Sequence, residues 1–242
     1  MTRESRLVEI FVELADTLVE DFDVVDFMHR LALRCVELLD CAEVGLLLAD
    51  RSGALQVIAS SSERLEALEV LGCDDGPYIE CYSRASAVAS EDLPADYGRW
   101  PSFAPLAAKK GFCSARAIPM RLRRQTIGAL VMLRTQTGRL DGEDTPLAQG
   151  FADIASIALL QERALNESHG LVTQLEGALS SRVIIEQAKG ILAEQAQIGL
   201  DAAFLRLRAH ARANNLKLAD VAGGLIDGQL STATLAETPV RR

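Results

Sequence analysis

Five cysteines, Cys35, Cys41, Cys73, Cys81 and Cys113, are the side chains of this sequence best suited to covalent chemistry. Their odd number and irregular spacing fit free thiols rather than a disulfide framework. As buried fillers they would be inert, because only a thiolate is nucleophilic. A second group is cationic: Arg182, Lys189, Arg206, Arg208, Arg212 and Lys217 fall in one short segment. On a helix, Arg182 and Lys189 share one face, and Arg208 and Arg212 share another. Glu186 stands four residues after Arg182 and three before Lys189, so both could equally form surface ion pairs. Phe204 is spaced with Leu207 and Ala211, which puts it on an apolar stripe.

The formal charge of −9 and pI near 4.9 exclude a binder that grips nucleic acid by bulk charge alone. The acidity is uneven. Up to Gly170 there are 17 Lys+Arg against 27 Asp+Glu, but from Arg182 to Lys217 there are 6 against 3. A modestly basic segment therefore sits behind an acidic one, which leaves shape-specific recognition open. The length of 242 residues and the 49% hydrophobic content fit one large or two small domains. No apolar run approaches the roughly 18 residues that span a bilayer. Acids interrupt the apolar N-terminal stretch MTRESRLVEIFVELAD, so no secretory signal is read there and a cytoplasmic protein without membrane partners is expected.

The elements that must position these residues fall into three parts. Residues 1–145 open with two amphipathic helices, Leu7 to Leu18 and Val24 to Leu39. Two strand pairs follow: Val44–Asp50 with Ala54–Ser60, and Ala115–Met120 with Ile127–Thr135. Between the pairs lies a Gly/Pro-rich insert, Gly72 to Gly111, expected to be an irregular binding region. Residues 146–180 read as a helix with a heptad seam that includes Phe151, Ile154, Leu165, Val172, Leu175 and Leu179. Its first turns fit a core helix and the remainder a dimerising coiled coil. His169-Gly170 is a weak point in it. Residues 181–230 read as three short helices, too small to bury much surface alone, with a left-handed turn at Asn214-Asn215. Residues 231–242 read as a flexible tail.

The segment from Ser181 to Asp227 resembles the ANTAR domain through Arg182, the AKGIL core (Ala188 to Leu192), Ala203-Phe204, Leu207-Arg208, Ala211-Arg212 and LADVA (Leu218 to Ala222). GPYIECY (Gly76 to Tyr82), RWPSFA (Arg99 to Ala104) and IGALVMLR (Ile127 to Arg134) resemble the GAF domain of actinobacterial regulators. The fold implied is an α+β GAF-like domain with an antiparallel sheet and flanking helices, a coiled-coil helix, and a small all-α ANTAR module.

The function implied is that of a non-enzymatic transcription antiterminator: a homodimer that grips tandem stem-loops in nascent RNA under control of a sensor. Arg182, Lys189, Arg206, Arg208, Arg212 and Lys217 would then contact RNA, since phosphates attract cations and guanidinium groups stack on loop bases. Cys73, Tyr78, Cys81, Trp100 and Cys113 would line the sensor pocket for an unknown small-molecule effector. Neither a cyclic-nucleotide pattern nor a pocket histidine for haem is present. Related GAF segments often carry cysteine directly after Gly-Pro, where this chain has Tyr78. The competing readings are an interaction or dimerisation module without direct RNA binding, a duplex-DNA reader, and a thiol-based GAF methionine sulfoxide reductase.

Overall fold

The computed structural model describes residues 3–17, 23–50, 52–62, 64–123, 125–139, 144–165 and 173–236. Five strands, β1 (Glu43–Ala49), β2 (Leu55–Ser60), β3 (Val88–Ser90), β4 (Ser114–Leu122) and β5 (Gln125–Arg134), form one antiparallel sheet in the order β2-β1-β5-β4-β3. The β1–β2 turn is built by Asp50, whose carboxylate accepts from the amides of Ser52 and Ala54, with Gly53 at φ +84°. Both faces of the sheet are covered, so β1 is buried along its whole length. Gly128 is required by this closeness: a Cβ there would lie 2.0 Å from the Leu47 carbonyl oxygen.

One face packs against α2 (Val24–Leu38) and α6 (Asp144–Leu165), through Phe27, Met28, Leu31, Ile118, Leu130 and Phe151, and α1 (Arg3–Thr17) lies on those helices. Helix α2 starts where it does because the Asp23 carboxylate caps it, accepting from Val25 N at 2.9 Å and Asp26 N at 3.0 Å. The other face packs α3 (Leu65–Leu71), α4 (Pro77–Arg84) and α5 (Phe103–Lys109). The Gly72–Gly111 insert is thus not irregular: it holds α4, β3 and α5. Elements of three to eight residues are too short to show a hydrophobic period, which is why the sequence pattern misses them.

The C-terminal helices are α7 (Thr173–Ala196), α8 (Leu200–Ala213), α9 (Leu218–Ile226) and α10 (Thr232–Ala236). The turn after α8 carries Asn215 at φ 52°, the left-handed conformation expected there. Residues 232–236 differ from a loose tail, since Leu235 is completely buried. These helices lean on the sheet domain rather than standing alone. Ile185, Leu192, Phe204, Leu207 and Val221 join Val24, Val25 and Met28 in one continuous core.

Phe151 of the expected dimer seam is fully buried and stacks on Phe11 at 5.5 Å, and Ile154 packs partly buried against the same core. The first turns of the seam are therefore core helix. Leu165, Leu175 and Leu179 lie on α6 and α7, but their side chains, with Val172 and His169-Gly170, fall outside the described residues.

Candidate nucleic-acid interface

The six cations of the C-terminal module divide into two sets. Arg182 is buried on α7 and pairs with Glu186 at 2.5 Å. Lys189 is completely buried. Its ammonium donates to both Glu186 carboxylate oxygens, at 3.0 and 2.9 Å, and lies 5.7 Å over the Phe204 ring. Both ion pairs that the spacing allows are formed, with the two cations buried and the shared Glu186 carboxylate half-exposed. A buried ammonium needs such a carboxylate and ring face to offset its lost hydration. Phe204 is core, as its stripe requires, and its edge meets His29 of α2 at 4.8 Å.

Arg208 projects from α8 to the sheet domain, where its Nε donates to the Asp26 carboxylate on α2. Asp26 also faces Arg30 at 3.6 Å. Burial disfavours the charge on Arg30, as do the nearby Arg212 and Arg208, while Asp26 favours it. Three residues earlier, at the N-cap of α2, Asp23 uses its second oxygen to accept from Leu218 N, the first amide of α9, at 2.6 Å. The N-terminal turn of α2 thus holds both α8 and α9. Arg206 is half-buried and Arg212 and Lys217 are exposed; none of the three has an ion pair among the described residues. Sequence reasoning missed Asp23 and Asp26. Asp23 was legible as a cap before the apolar run from Val24, but its bond to a helix 195 residues away was not. A separate cavity of about 590 Å³ opens between Gln56 and Val57 of β2, Leu68 of α3, and Arg182, Val183 and Glu186 of α7.

Of the residues expected to line a sensor pocket, Cys73, Tyr78, Cys81 and Trp100 come together on the opposite face of the sheet, packed rather than open, and Cys113 stands outside that cluster. Tyr78, Cys81 and Trp100 are buried in the same cluster as Phe103. Phe103 meets Tyr78 and Trp100 edge-on, with centroids 5.8 and 5.9 Å apart. The Tyr78 hydroxyl donates to Cys73 O at 2.8 Å and Trp100 Nε1 to Glu80 at 3.1 Å. Burial pushes the Cys81 thiol up to about 12, and burial with Asp75 and Asp74 raises that of Cys73. Carboxylates, not cations, neighbour Cys73, and at Cys81 burial outweighs the opposing pull of Arg121, so neither thiol favours its reactive thiolate. Cys113 is half-buried and exchanges backbone hydrogen bonds with Leu93 and Arg134. Among the described residues no group of histidine, cysteine and carboxylate side chains could hold a metal ion, and no helix is long and apolar enough to cross a membrane.

A five-stranded antiparallel sheet with helices on both faces is thus followed by a small helical module with exposed cations. Comparison gives the two parts their families. The chain belongs to the GAF domain family, whose model matches residues 23–160, and it carries an ANTAR domain over residues 173–226. It is thus a GAF and ANTAR domain-containing regulator. No curated protein sequence matches it.

Among solved structures it is similar to free methionine-R-sulfoxide reductase from Neisseria meningitidis. That match has a TM-score of 0.53 and 20% identity, covering 66% of this chain and 89% of that one. It is also similar to the GAF domain of the Acinetobacter phosphoenolpyruvate-protein phosphotransferase, with a TM-score of 0.51 and 13% identity over 67% of this chain and 98% of that one. A domain of a sensor histidine kinase from Sinorhizobium meliloti 1021 gives 0.50 and 14%, over 59% and 95%. At these identities the likeness is one of fold.

Proposed function

We propose that this chain is an RNA-binding transcription antiterminator of the cytoplasm, a homodimer that grips tandem stem-loops, with the GAF domain setting how far the ANTAR module is exposed. The observation that carries this reading is the hold of Asp23 and Asp26 on α9 and α8. RNA phosphates compete for the same Arg208 guanidinium that Asp26 occupies, so binding RNA through Arg208 requires the joint to open. Arg206, Arg212 and Lys217 remain available for first contact, and Arg182 and Lys189 become available only if α7 rearranges. An effector changes this balance only through its different affinity for the closed and open states. The dimer would be made by the seam beyond about Gln161, through Leu165, Val172, Leu175 and Leu179.

The test is gel-shift binding of the full chain to tandem-hairpin RNA across a salt series, with duplex DNA as competitor. Replacing Arg206, Arg212 and Lys217 together by alanine is expected to weaken binding at least tenfold and to flatten the salt dependence. Unchanged affinity would sink this site in favour of an interaction module that does not touch RNA. Preference for duplex DNA would favour the DNA reader. The thiol-based reductase is disfavoured by the raised thiols of Cys73 and Cys81. It would return only with thiol-dependent turnover of methionine sulfoxide that is lost in Cys→Ser variants.

A further inference from the structure

We propose that the β3 edge of the sheet is a binding site for a small doubly charged oxyanion, phosphate or the terminal group of a phosphomonoester, received by the free guanidinium of Arg116. A cavity of about 220 Å³ lies there, bordered by Ser90, Ser114, Arg116, Arg134 and Arg139. The strand register builds it: Ala89 of β3 stands opposite Arg116, and Ser114 opposite Arg134.

Arg134 is already committed. Its Nε donates to Asp40 O at 2.7 Å, one terminal nitrogen donates to Gly138 O at 3.1 Å, and the other pairs with the Asp40 carboxylate. Arg139 lies 3.5 Å from Glu91, the carboxylate at the cavity. Arg116 forms no ion pair among the described residues, and its Nε–H is buried without an acceptor. The hydroxyl of Ser90, itself a buried residue, also lacks a partner. Ser90 stands opposite Ala115 in the register, so its hydroxyl lies on the other face of the sheet and the unmet donor at this cavity is that of Arg116.

Buried polar groups in folded proteins find partners, and a group that does not points to something missing. Here the missing partner is negative. Three guanidinium groups border the cavity against one carboxylate, Glu91, whose side chain is largely exposed beside Arg139. Burial and the neighbouring Arg139 disfavour the charge on Arg116, which an anion would relieve. A guanidinium presents a fork of N–H donors that matches the oxygens of a phosphate group. The volume lies below the range of about 300–1,000 Å³ that holds drug-sized ligands, so the cavity takes a small anion or only the end of a larger molecule. It is separate from the packed face around Tyr78, Trp100 and Phe103, and it does not depend on the RNA reading.

The experiment is calorimetric titration of the full chain, without RNA, at constant ionic strength, using inorganic phosphate, glycerol phosphate and acetate. Saturable one-to-one binding of phosphate is expected, with acetate weaker. Arg116→Gln is expected to weaken phosphate binding at least tenfold. Arg139→Gln, on a largely exposed side chain whose loss leaves the fold intact, should weaken it by a few fold. Binding of glycerol phosphate but not free phosphate would assign the site to a phosphomonoester end. Absence of saturable binding by either, or binding indifferent to both substitutions, overturns the proposal.

Discussion

Asp26 and Arg208, 182 positions apart, form an ion pair across the joint between the GAF domain and the ANTAR module. Both side chains are mostly buried, at 12% exposure for Arg208 and 16% for Asp26. A partly desolvated pair of this kind is not screened as a surface pair is.

Breaking it from the sensor side frees the cation without damaging the reading surface. Asp26→Ala is expected to raise affinity for tandem-hairpin RNA by about 3–10-fold, the equivalent of roughly 1 kcal/mol shifted toward the open state. Arg208→Ala opens the joint equally but removes a phosphate contact, so no such gain follows. Gel shifts of the two variants side by side check this, and equal behaviour would contradict it.

Glu80 ties α4 to the segment that precedes α5. It accepts from Arg99 at 2.9 and 2.7 Å and from Trp100 at 3.1 Å. The Arg99 hydrogen bonds hold its carboxyl below the usual 4.5. A carboxylate with a depressed folded pKa stabilises the fold above its unfolded pKa, and that contribution is lost as pH falls through the folded value. Glu80→Gln should therefore lower Tm at pH 7 and lessen the loss of Tm between about pH 5 and 3. Thermal unfolding followed by circular dichroism over that range tests it.

With its thiol pushed up to about 12, Cys81 is expected to resist alkylation. In a variant whose other cysteines are alanine, the native rate should rise about tenfold per pH unit from 7 to 10. A plateau near the ordinary thiol value of about 8.5 would indicate an exposed thiolate instead. Timed iodoacetamide labelling read by mass spectrometry gives the profile.

Gly128 stands opposite Leu48 in the central β1–β5 pair. Because an added Cβ would overlap the Leu47 carbonyl oxygen, Gly128→Ala must force the two strands apart. A loss of about 3 kcal/mol or more is expected, at the severe end for a single methyl group. Urea unfolding measures it. A variant within 1 kcal/mol of the parent would show that β1 and β5 can separate freely.

Much of this architecture was legible in the chain. The pattern of Val44–Asp50 and Ala54–Ser60 around Ser52-Gly53 marks a hairpin, and β1 and β2 form it within a residue at each end. Leu218, Val221, Ala222, Leu225 and Ile226 mark α9, and all but the exposed Ile226 are buried. Such features depend on neighbours a few positions away, so a period of two or about four exposes them. The ANTAR motif reads in the same way, although α7 begins at Thr173, well before the arginine and AKGIL pattern that announces it.

Residue type and order alone establish which residues are cations, which faces are apolar, and that an acidic domain precedes a basic module. They do not determine which cations meet solvent. Lys189 and Lys217 are the same residue type in the same module, yet Lys189 is sealed beside Glu186 and Phe204 while Lys217 is exposed. Phe151 carries the spacing of a dimer seam and is instead stacked within its own chain. Burial is set by what packs across a face, and here that partner comes from residues far away in sequence. Only the tertiary structure brought Asp23 and Asp26 to the ANTAR helices, because no local pattern records a contact closed over more than 180 residues.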